Sequence, residues 1–207
     1  MKRKLVFTTA LLCATLIVPL SLFSQSRDFE MIGTTLVKYN GNAANVTIPS
    51  SVTSIGEYAF YGCISITSVI IPSSVTSIGN AAFGGCSGLT SVSIPSSVTS
   101  IGNLAFALCT SLTNVTIPTS ITSIGNYVFS ACGNLRNITI PSSVTSIGVC
   151  AFLGCNNLTS VTIPSSVTSI GNQAFYDCNS LTSVTISRRT TIGENAFPST
   201  TKITYSD

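Results

Sequence analysis

The chain has 207 residues, of which nine are basic and six are acidic, and it contains neither His nor Trp. This supply of ionisable side chains is too sparse for most acid, base or metal chemistry, so composition argues against an enzyme. We expect no cofactor and no catalytic or metal-binding residues.

The N-terminus has the layout of a secretory signal peptide. Basic residues at positions 2–4 precede an apolar run over residues 5–18, and small residues follow at Ser24 and Ser26. A membrane anchor is disfavoured because Pro19 ends the run short of the ~20 residues that a span needs. Removal of residues 1–26 leaves six basic and six acidic side chains, so no basic surface for nucleic acid is expected. The predicted location is secreted, cell-surface or periplasmic, without a transmembrane anchor in the mature chain.

Residues 27–44 are predicted to form an N-terminal cap. The segment Met31 to Asn40 alternates loosely between apolar and polar residues and leads through Gly41 and Asn42 to Val46. This pattern predicts a hairpin that covers the first repeat.

Residues 45–186 repeat with a step of 23 residues. The step recurs in a proline column (Pro49, Pro72, Pro95, Pro118, Pro141, Pro164), a cysteine column (Cys63, Cys86, Cys109, Cys132, Cys155, Cys178) and a phenylalanine column (Phe60, Phe83, Phe106, Phe129, Phe152, Phe175). A fixed period of this length is typical of a solenoid, in which stacked coils share one core.

Each part of one unit predicts a local structure. The segment from Val92 to Ile94 alternates and favours a short strand with one face inward, and Pro95 ends it. A second extended segment follows, and then Gly102, for which we expect a positive φ. The spacing of Ala105, Phe106 and Cys109 predicts a short helix or 3₁₀ turn. The asparagines that follow the glycine are expected to cap this turn; they are Asn80, Asn103, Asn126 and Asn172.

Stacking predicts one parallel sheet of seven strands that runs from Val46 to Val184. Residues 187–207 form a degenerate last repeat and a C-terminal cap, in which Ser187 stands in the proline column. A final strand around Ile203 to Tyr205 is expected to close the stack.

The run Leu-x-x-Val-x-Ile-Pro-x-x-Val-x-x-Ile-Gly-x-x-Ala-Phe-x-x-Cys resembles the BspA-like, or treponemal-type, leucine-rich repeat from about Val46 to Phe197. The resemblance implies an α/β leucine-rich-repeat solenoid of 23-residue repeats, with a parallel sheet on its concave face and short helical or 3₁₀ turns opposite. It also implies proteins that host-associated bacteria export. Some relatives bind extracellular-matrix proteins, host cells or other bacteria.

The cysteine column is predicted to point inward and to pack as small apolar side chains, since parallel side chains do not converge as a disulfide requires. Cys150 lies outside this column and is expected to be the most exposed thiol.

Outward strand positions predict a polar, nearly uncharged strip, either a solubilising surface or a docking surface for a partner. The candidate partner-binding residues are Ser91, Ser93, Asn114, Thr116, Arg136, Asn137, Thr139, Ser160 and Thr162. Four tyrosines of the turns are the competing candidates: Tyr58, Tyr61, Tyr127 and Tyr176.

The sequence therefore favours an adhesin-like interaction protein that binds a host-matrix or cell-surface protein or a glycan. The alternative is a structural or scaffold protein of the periplasm or cell envelope without a specific ligand.

Overall fold

The computed structural model describes residues 28–206, and each repeat in it forms one coil of a parallel β-solenoid. We number the coils 1–7 by the phenylalanine that each contains, from Phe60 in coil 1 to Phe197 in coil 7. The predicted repeat architecture is confirmed.

Every coil contributes one strand to each of two rows. The long-strand row consists of β3 (Asn45–Thr47), β5 (Ser68–Ile70), β7 (Ser91–Ser93), β9 (Asn114–Thr116), β11 (Asn137–Thr139), β13 (Ser160–Thr162) and β15 (Ser183–Ser187). The short-strand row consists of β4 (Ser54–Ile55), β6 (Ser77–Ile78), β8 (Ser100–Ile101), β10 (Ser123–Ile124), β12 (Ser146–Ile147), β14 (Ser169–Ile170) and β16 (Thr191–Ile192). Wherever neighbours in a row pair, they are parallel, and each residue stands opposite its repeat equivalent, as Val69 does opposite Val92.

The core is a set of columns that run through the stack. The second residue of each long strand points inward, as Val92 and Val115 do at 4% and 5% exposure. The seven phenylalanine rings stack nearly parallel, with neighbouring centroids 4.8–5.6 Å apart. Because coils share these columns, no coil buries its side chains alone.

Two terminal elements complete the stack. Strands β1 (Phe29–Ile32) and β2 (Thr35–Tyr39) form an antiparallel hairpin, and β2 pairs with β4. A hairpin was predicted, but its turn lies at Gly33, where φ is +61°, and not at Gly41. At the other end β17 (Lys202–Ser206) pairs in parallel with β15, which confirms the closing strand.

The predicted helical turns are wrong. Residues 29–206 contain no α-helix and no 3₁₀-helix. Instead, backbone groups of each turn bond to the next coil, as Phe106 N–H donates to the carbonyl oxygen of Val128 at 2.9 Å. A three-residue spacing of apolar positions therefore marks a coil corner in this protein. Bonds within the turn, such as Ala107 N–H to the carbonyl oxygen of Leu104 at 3.0 Å, alternate with coil-to-coil bonds and do not continue into a helix.

The role predicted for the glycine column is also wrong. Positive φ occurs two residues later, at positions such as Leu104 (φ 60°). Gly102 is required for a different reason, since a Cβ there would lie 2.5 Å from the backbone nitrogen of Asn80 in the coil before. The glycine permits close stacking of coils.

The asparagines beside the glycines do not cap helices. The side-chain oxygen of Asn103 accepts the backbone N–H of Asn126 in the next coil at 2.8 Å, and Asn126 does the same for Val149. We call this column the asparagine ladder. It satisfies backbone donors between coils that the strands leave unpaired.

The long-strand row is not the single sheet of seven strands that the repeat predicts. No strand ladder joins β9 to β11 or β13 to β15, and in the short-strand row none joins β8 to β10.

Two of these breaks flank coil 4, which carries buried Ile121 where five other coils have Val, and buried Val128 where the other six coils have Ala. The Phe106–Phe129 centroid distance is 5.6 Å, the widest in the phenylalanine stack. Extra methyl groups in a close-packed core force neighbouring backbone apart, and this accounts for the breaks beside coil 4.

Candidate functional site

The outward side chains of the long-strand row form a continuous polar surface, which we call the strand strip. All nine predicted partner-binding residues are exposed, and eight of them lie on it. Ser91 and Ser93 belong to β7, Asn114 and Thr116 to β9, Asn137 and Thr139 to β11, Ser160 and Thr162 to β13, and Arg136 directly precedes β11.

The strip is ordered by register and by hydrogen bonds between coils. Asn137 stands opposite Ser160, and the hydroxyl of Ser160 lies 2.8 Å from the Asn137 side-chain oxygen. At the edge of the strip a threonine hydroxyl usually donates to the coil before, as Thr113 does to the carbonyl oxygen of Thr90 at 3.1 Å. Side chains fixed in this way lose little conformational entropy when a ligand binds.

The first strand break opens a cleft in the strip. Asn114 and Thr116 on one side face Asn137 and Thr139 on the other across a volume of about 220 Å³. Arg136 lies at the threshold of this cleft in the column where neighbouring coils have threonine. Arg136 has no hydroxyl that could donate to the carbonyl oxygen of Thr113, so the side-chain hydrogen bond that links other coils in this column is missing here. The column carries a guanidinium group at this position. Four predicted residues are thus brought together around one cleft.

A second cleft of about 400 Å³ separates β13 from β15. Ser160 and Thr162 line it from the predicted set, and Ser183 and Thr185 complete it. The sequence places Ser183 and Thr185 in the same polar columns, but nothing in the repeat pattern indicates that the strands separate there.

A shallow groove of about 430 Å³ follows the short-strand row from Asn103 to Gly193, and sequence reasoning missed it. Glycines, serines such as Ser146 and amides such as Asn126 are among the residues that line it. The signal in the sequence is a glycine column next to columns of Ser and Asn.

The cysteine column is buried and unpaired, as predicted, except that Cys63 is only partly covered. Each of the five buried thiols donates toward a phenylalanine carbonyl one coil earlier, as Cys109 Sγ does to Phe83 at 3.2 Å. Burial raises the pKa of the Cys109 thiol to about 12. The Cys109 thiol therefore stays protonated and inert near neutral pH.

The prediction that Cys150 is exposed is wrong. Its side chain is 3% exposed, and its Sγ lies 3.6 Å from the side-chain oxygen of Gln173. A side-chain hydrogen bond with Cys150 also raises the pKa of Tyr127. Residues of the coils on either side thus cover this thiol, an arrangement that one coil's sequence does not reveal.

The opposite surface of the coils, which we call the turn face, consists of the residues two before, one after and two after each phenylalanine. Tyr58, Tyr61, Tyr127 and Tyr176 are 58%, 57%, 38% and 39% exposed on it. The rings of Tyr58 and Tyr61 meet edge to face, with centroids 5.6 Å apart. The competing tyrosines are therefore accessible, but they spread over several coils and do not form one cluster.

Acidic and thiol groups do not converge anywhere in residues 28–206 as a metal site would require. Over the same residues, no helix has the length and apolar character needed to cross a membrane.

A stack of 23-residue coils, each with a strand in a parallel row and a polar outer strip, defines a leucine-rich-repeat solenoid. The chain belongs to the BspA-type leucine-rich-repeat family, whose model matches six copies over residues 30–158 and 122–207. No curated protein sequence matches the chain.

Solved structures support this assignment. A leucine-rich-repeat protein of T. pallidum (TpLRR) is 33% identical, with a TM-score of 0.75, and the match covers 81% of this chain and 84% of that one. A leucine-rich-repeat protein from Eubacterium ventriosum is 29% identical with a TM-score of 0.76, over 84% of this chain and 48% of the other. One from Bacteroides ovatus is 27% identical with a TM-score of 0.60, over 84% and 59%.

Proposed function

We propose that this protein is an exported interaction protein, without catalytic activity, that binds a protein or a glycan through the strand strip. Membership of a bacterial leucine-rich-repeat family is consistent with a protein-interaction role. Export is proposed from the signal-like N-terminus, which lies outside the described residues.

The observation that carries the proposal is the first cleft. It interrupts the strip and is lined by Asn114, Thr116, Asn137 and Thr139, and Arg136 directly precedes Asn137 in the chain. A regular strip supplies contact area, whereas a cleft with amides, hydroxyls and one guanidinium supplies features that distinguish one ligand from another.

The chemistry of the strip indicates an uncharged polar partner surface. Hydroxyl and amide groups recognise hydroxyl groups of a glycan or exposed backbone of a protein, and Arg136 is the single charge that directly adjoins the strands β7, β9, β11 and β13. Because almost no charge pairs are involved, affinity should depend only weakly on ionic strength.

Binding to immobilised host-matrix proteins and to intact bacterial cells tests the proposal. A triple variant, Thr116→Glu, Arg136→Glu and Thr139→Glu, places three carboxylates at the first cleft and should weaken binding at least about tenfold, because an uncharged partner would have to desolvate them. The core remains unchanged, since all three side chains are exposed.

A matched control carries Ser96→Glu, Thr119→Glu and Ser142→Glu. These residues are exposed in the turns that follow β7, β9 and β11, so the control adds the same number of carboxylates beside the strip. Binding that survives the first variant contradicts the assignment to the strand strip. Absence of binding by the unmodified protein to any matrix or cell surface favours a scaffold role instead.

A further inference from the structure

Asn40 and Gly41 form the only Asn-Gly pair in the chain, and they lie in the loop between β2 and β3. An asparagine is a chemically labile residue, most of all before glycine, because a glycine backbone readily brings its nitrogen to the asparagine side chain. The Asn40 side chain is exposed, and residues 40–43 belong to no strand or helix. The pair therefore lacks the regular structure that protects most asparagines of this protein.

The backbone nitrogen of Gly41 is the group that attacks in this reaction, and it is not engaged. Within residues 28–206 the Gly41 N–H has no hydrogen-bond partner. The second most labile kind of pair, Asn179 with Ser180, is also exposed at its asparagine, but there the Ser180 N–H donates to the carbonyl oxygen of Asn156 at 3.3 Å. The fold thus restrains the attacking nitrogen after Asn179 and leaves the one after Asn40 available.

Packing requires the glycine of this pair. A Cβ at position 41 would lie 2.5 Å from the hydroxyl oxygen of Tyr39 and 2.8 Å from a carboxylate oxygen of Asp28. Tyr39 is buried, and its hydroxyl accepts the Ala43 N–H at 3.3 Å, so the loop bends around this hydroxyl. The Asn40 N–H donates to the carbonyl oxygen of Asp28 at 2.7 Å, which ties the loop to the residue before β1. The residue that makes Asn40 reactive is therefore one that the fold cannot exchange for a larger one.

We propose that Asn40 is a self-modification site, which converts to aspartate and isoaspartate without an enzyme and thereby loosens the N-terminal hairpin. Hydroxide removes the Gly41 amide proton, and the nitrogen attacks the side-chain carbonyl carbon of Asn40 to close a five-membered ring. The bond from that carbon to the side-chain nitrogen breaks, and the nitrogen leaves as ammonia with a proton from water, which regenerates hydroxide. Water then opens the ring at either carbonyl. One water is consumed, one ammonia is released, and nothing is oxidised or reduced.

The product changes both the length and the charge of the loop. Isoaspartate adds one atom to the backbone, which the loop cannot accommodate while Gly41 stays packed against the Tyr39 hydroxyl. The new carboxylate at position 40 also lies in the segment that is bonded to Asp28, so two like charges approach each other. Both effects act on the end of β2, which is held to coil 1 by the bond from Tyr39 N–H to the carbonyl oxygen of Ala59 at 2.7 Å. The hairpin should therefore open more often after the reaction.

Incubation of the exported protein at mildly alkaline pH, followed by peptide mapping, tests the reaction. Conversion raises the mass of the peptide by the difference between water and ammonia, and isoaspartate makes it a substrate for protein isoaspartate methyltransferase. In the folded protein Asn40 should convert at least about tenfold faster than Asn179, because only its attacking nitrogen is available. The rate should rise in proportion to hydroxide concentration. In urea the Asn179 rate should increase, since Ser180 loses its partner, whereas the Asn40 rate should change little.

Two variants separate the chemistry from its effect on the hairpin. Asn40→Gln is the matched control, because it keeps an uncharged amide but would have to close a larger ring, so it should stay unmodified. Asn40→Asp introduces the charge without the extra backbone atom. After incubation, amide exchange at Tyr39 should be fastest in the unsubstituted protein, slowest in Asn40→Gln and intermediate in Asn40→Asp. An Asn40 amide that survives while Asn179 converts, or a converted protein whose Tyr39 amide exchanges as slowly as in Asn40→Gln, overturns the proposal.

Discussion

The side-chain oxygen of Asn126 accepts the backbone N–H of Val149 at 2.8 Å, and this bond is the last of an uninterrupted run in the asparagine ladder. Val149 has no side-chain acceptor, so it offers nothing to Asn172, the next residue in its column. The ladder resumes above it, where Asn172 accepts the backbone N–H of Glu194 at 2.9 Å.

Val149→Asn should repair the ladder and stabilise the protein. The new side-chain oxygen is placed to accept the Asn172 N–H, and a bond of this kind contributes about 0.5–1.5 kcal/mol. Urea unfolding followed by circular dichroism measures the change. Asn126→Ala, which leaves the Val149 N–H without its acceptor, should shift the free energy of unfolding by a similar amount in the opposite direction. Equal stability of both variants would contradict the role given to the ladder.

Amide hydrogen exchange should reveal the strand break beside coil 4. The N–H groups of Thr99 and Thr145 donate to the coil before at 2.9 Å each, whereas no such bond joins Thr122 of coil 4 to coil 3. Exchange at Thr122 should therefore be faster than at its two repeat equivalents, because its amide is open to water without unfolding of the stack.

The bulky residues of coil 4 provide the matched variant. Ile121→Val with Val128→Ala restores the side chains that other coils carry, so coil 4 should approach coil 3 and exchange at Thr122 should slow. Unchanged exchange in this variant would mean that the extra methyl groups do not cause the break.

Alkaline pH should destabilise the fold through the buried thiol of Cys109. Burial raises the pKa of Cys109 to about 12 in the folded state, from the ordinary thiol value of 9.0. The folded protein therefore holds this proton more tightly than the unfolded chain. The stabilisation is fully present below pH 9 and is lost as pH rises through the folded-state pKa. Between these values one thiol contributes a slope of about 1.4 kcal/mol per pH unit.

Cys109→Ala isolates this contribution from other groups that titrate in the same range. Its free energy of unfolding is expected to be lower at neutral pH because of the lost packing, but to fall less steeply between pH 9 and 11. Urea titrations at several pH values compare the two slopes. Parallel curves would show that Cys109 does not ionise differently in the two states.

Export should remove the basic N-terminus. Positions 2–4 are basic and are followed by an apolar run, which is the layout of a cleaved signal. Intact-mass measurement of the exported protein should find a first residue near Gln25 or Arg27. Recovery of the full-length chain outside the cell would contradict this prediction.

The repeat made the architecture predictable because each column of identical residues indicates one environment. The strand at Val92, the buried thiol at Cys109 and the closing strand near Ile203 followed from alternation and spacing alone. What could not be predicted depends on contacts between coils. The close approach at Gly102 and the covering of Cys150 by neighbouring side chains are invisible in any single repeat.

The candidate site was predictable in part for the same reason. Outward alternation placed Asn114, Thr116 and their equivalents on one exposed strip. The cleft in this part of the strip lies beside coil 4, which carries the bulky residues Ile121 and Val128. The sequence shows that these residues separate the strands only once it is known that the columns stack on one another. Arg136 was the one visible sign of the irregularity.

The aromatic column also has an optical consequence. The chain has no Trp, so its near-ultraviolet fluorescence comes from six tyrosines, of which Tyr39 alone is buried. Its ring lies 5.1 Å from Phe60, at the end of the stacked phenylalanines. Excitation absorbed by the phenylalanines can pass along the column to Tyr39, whereas added quenchers reach the other tyrosines first. The protein thus carries an intrinsic reporter of its N-terminal cap, whose emission should become accessible to quenchers when the first hairpin detaches.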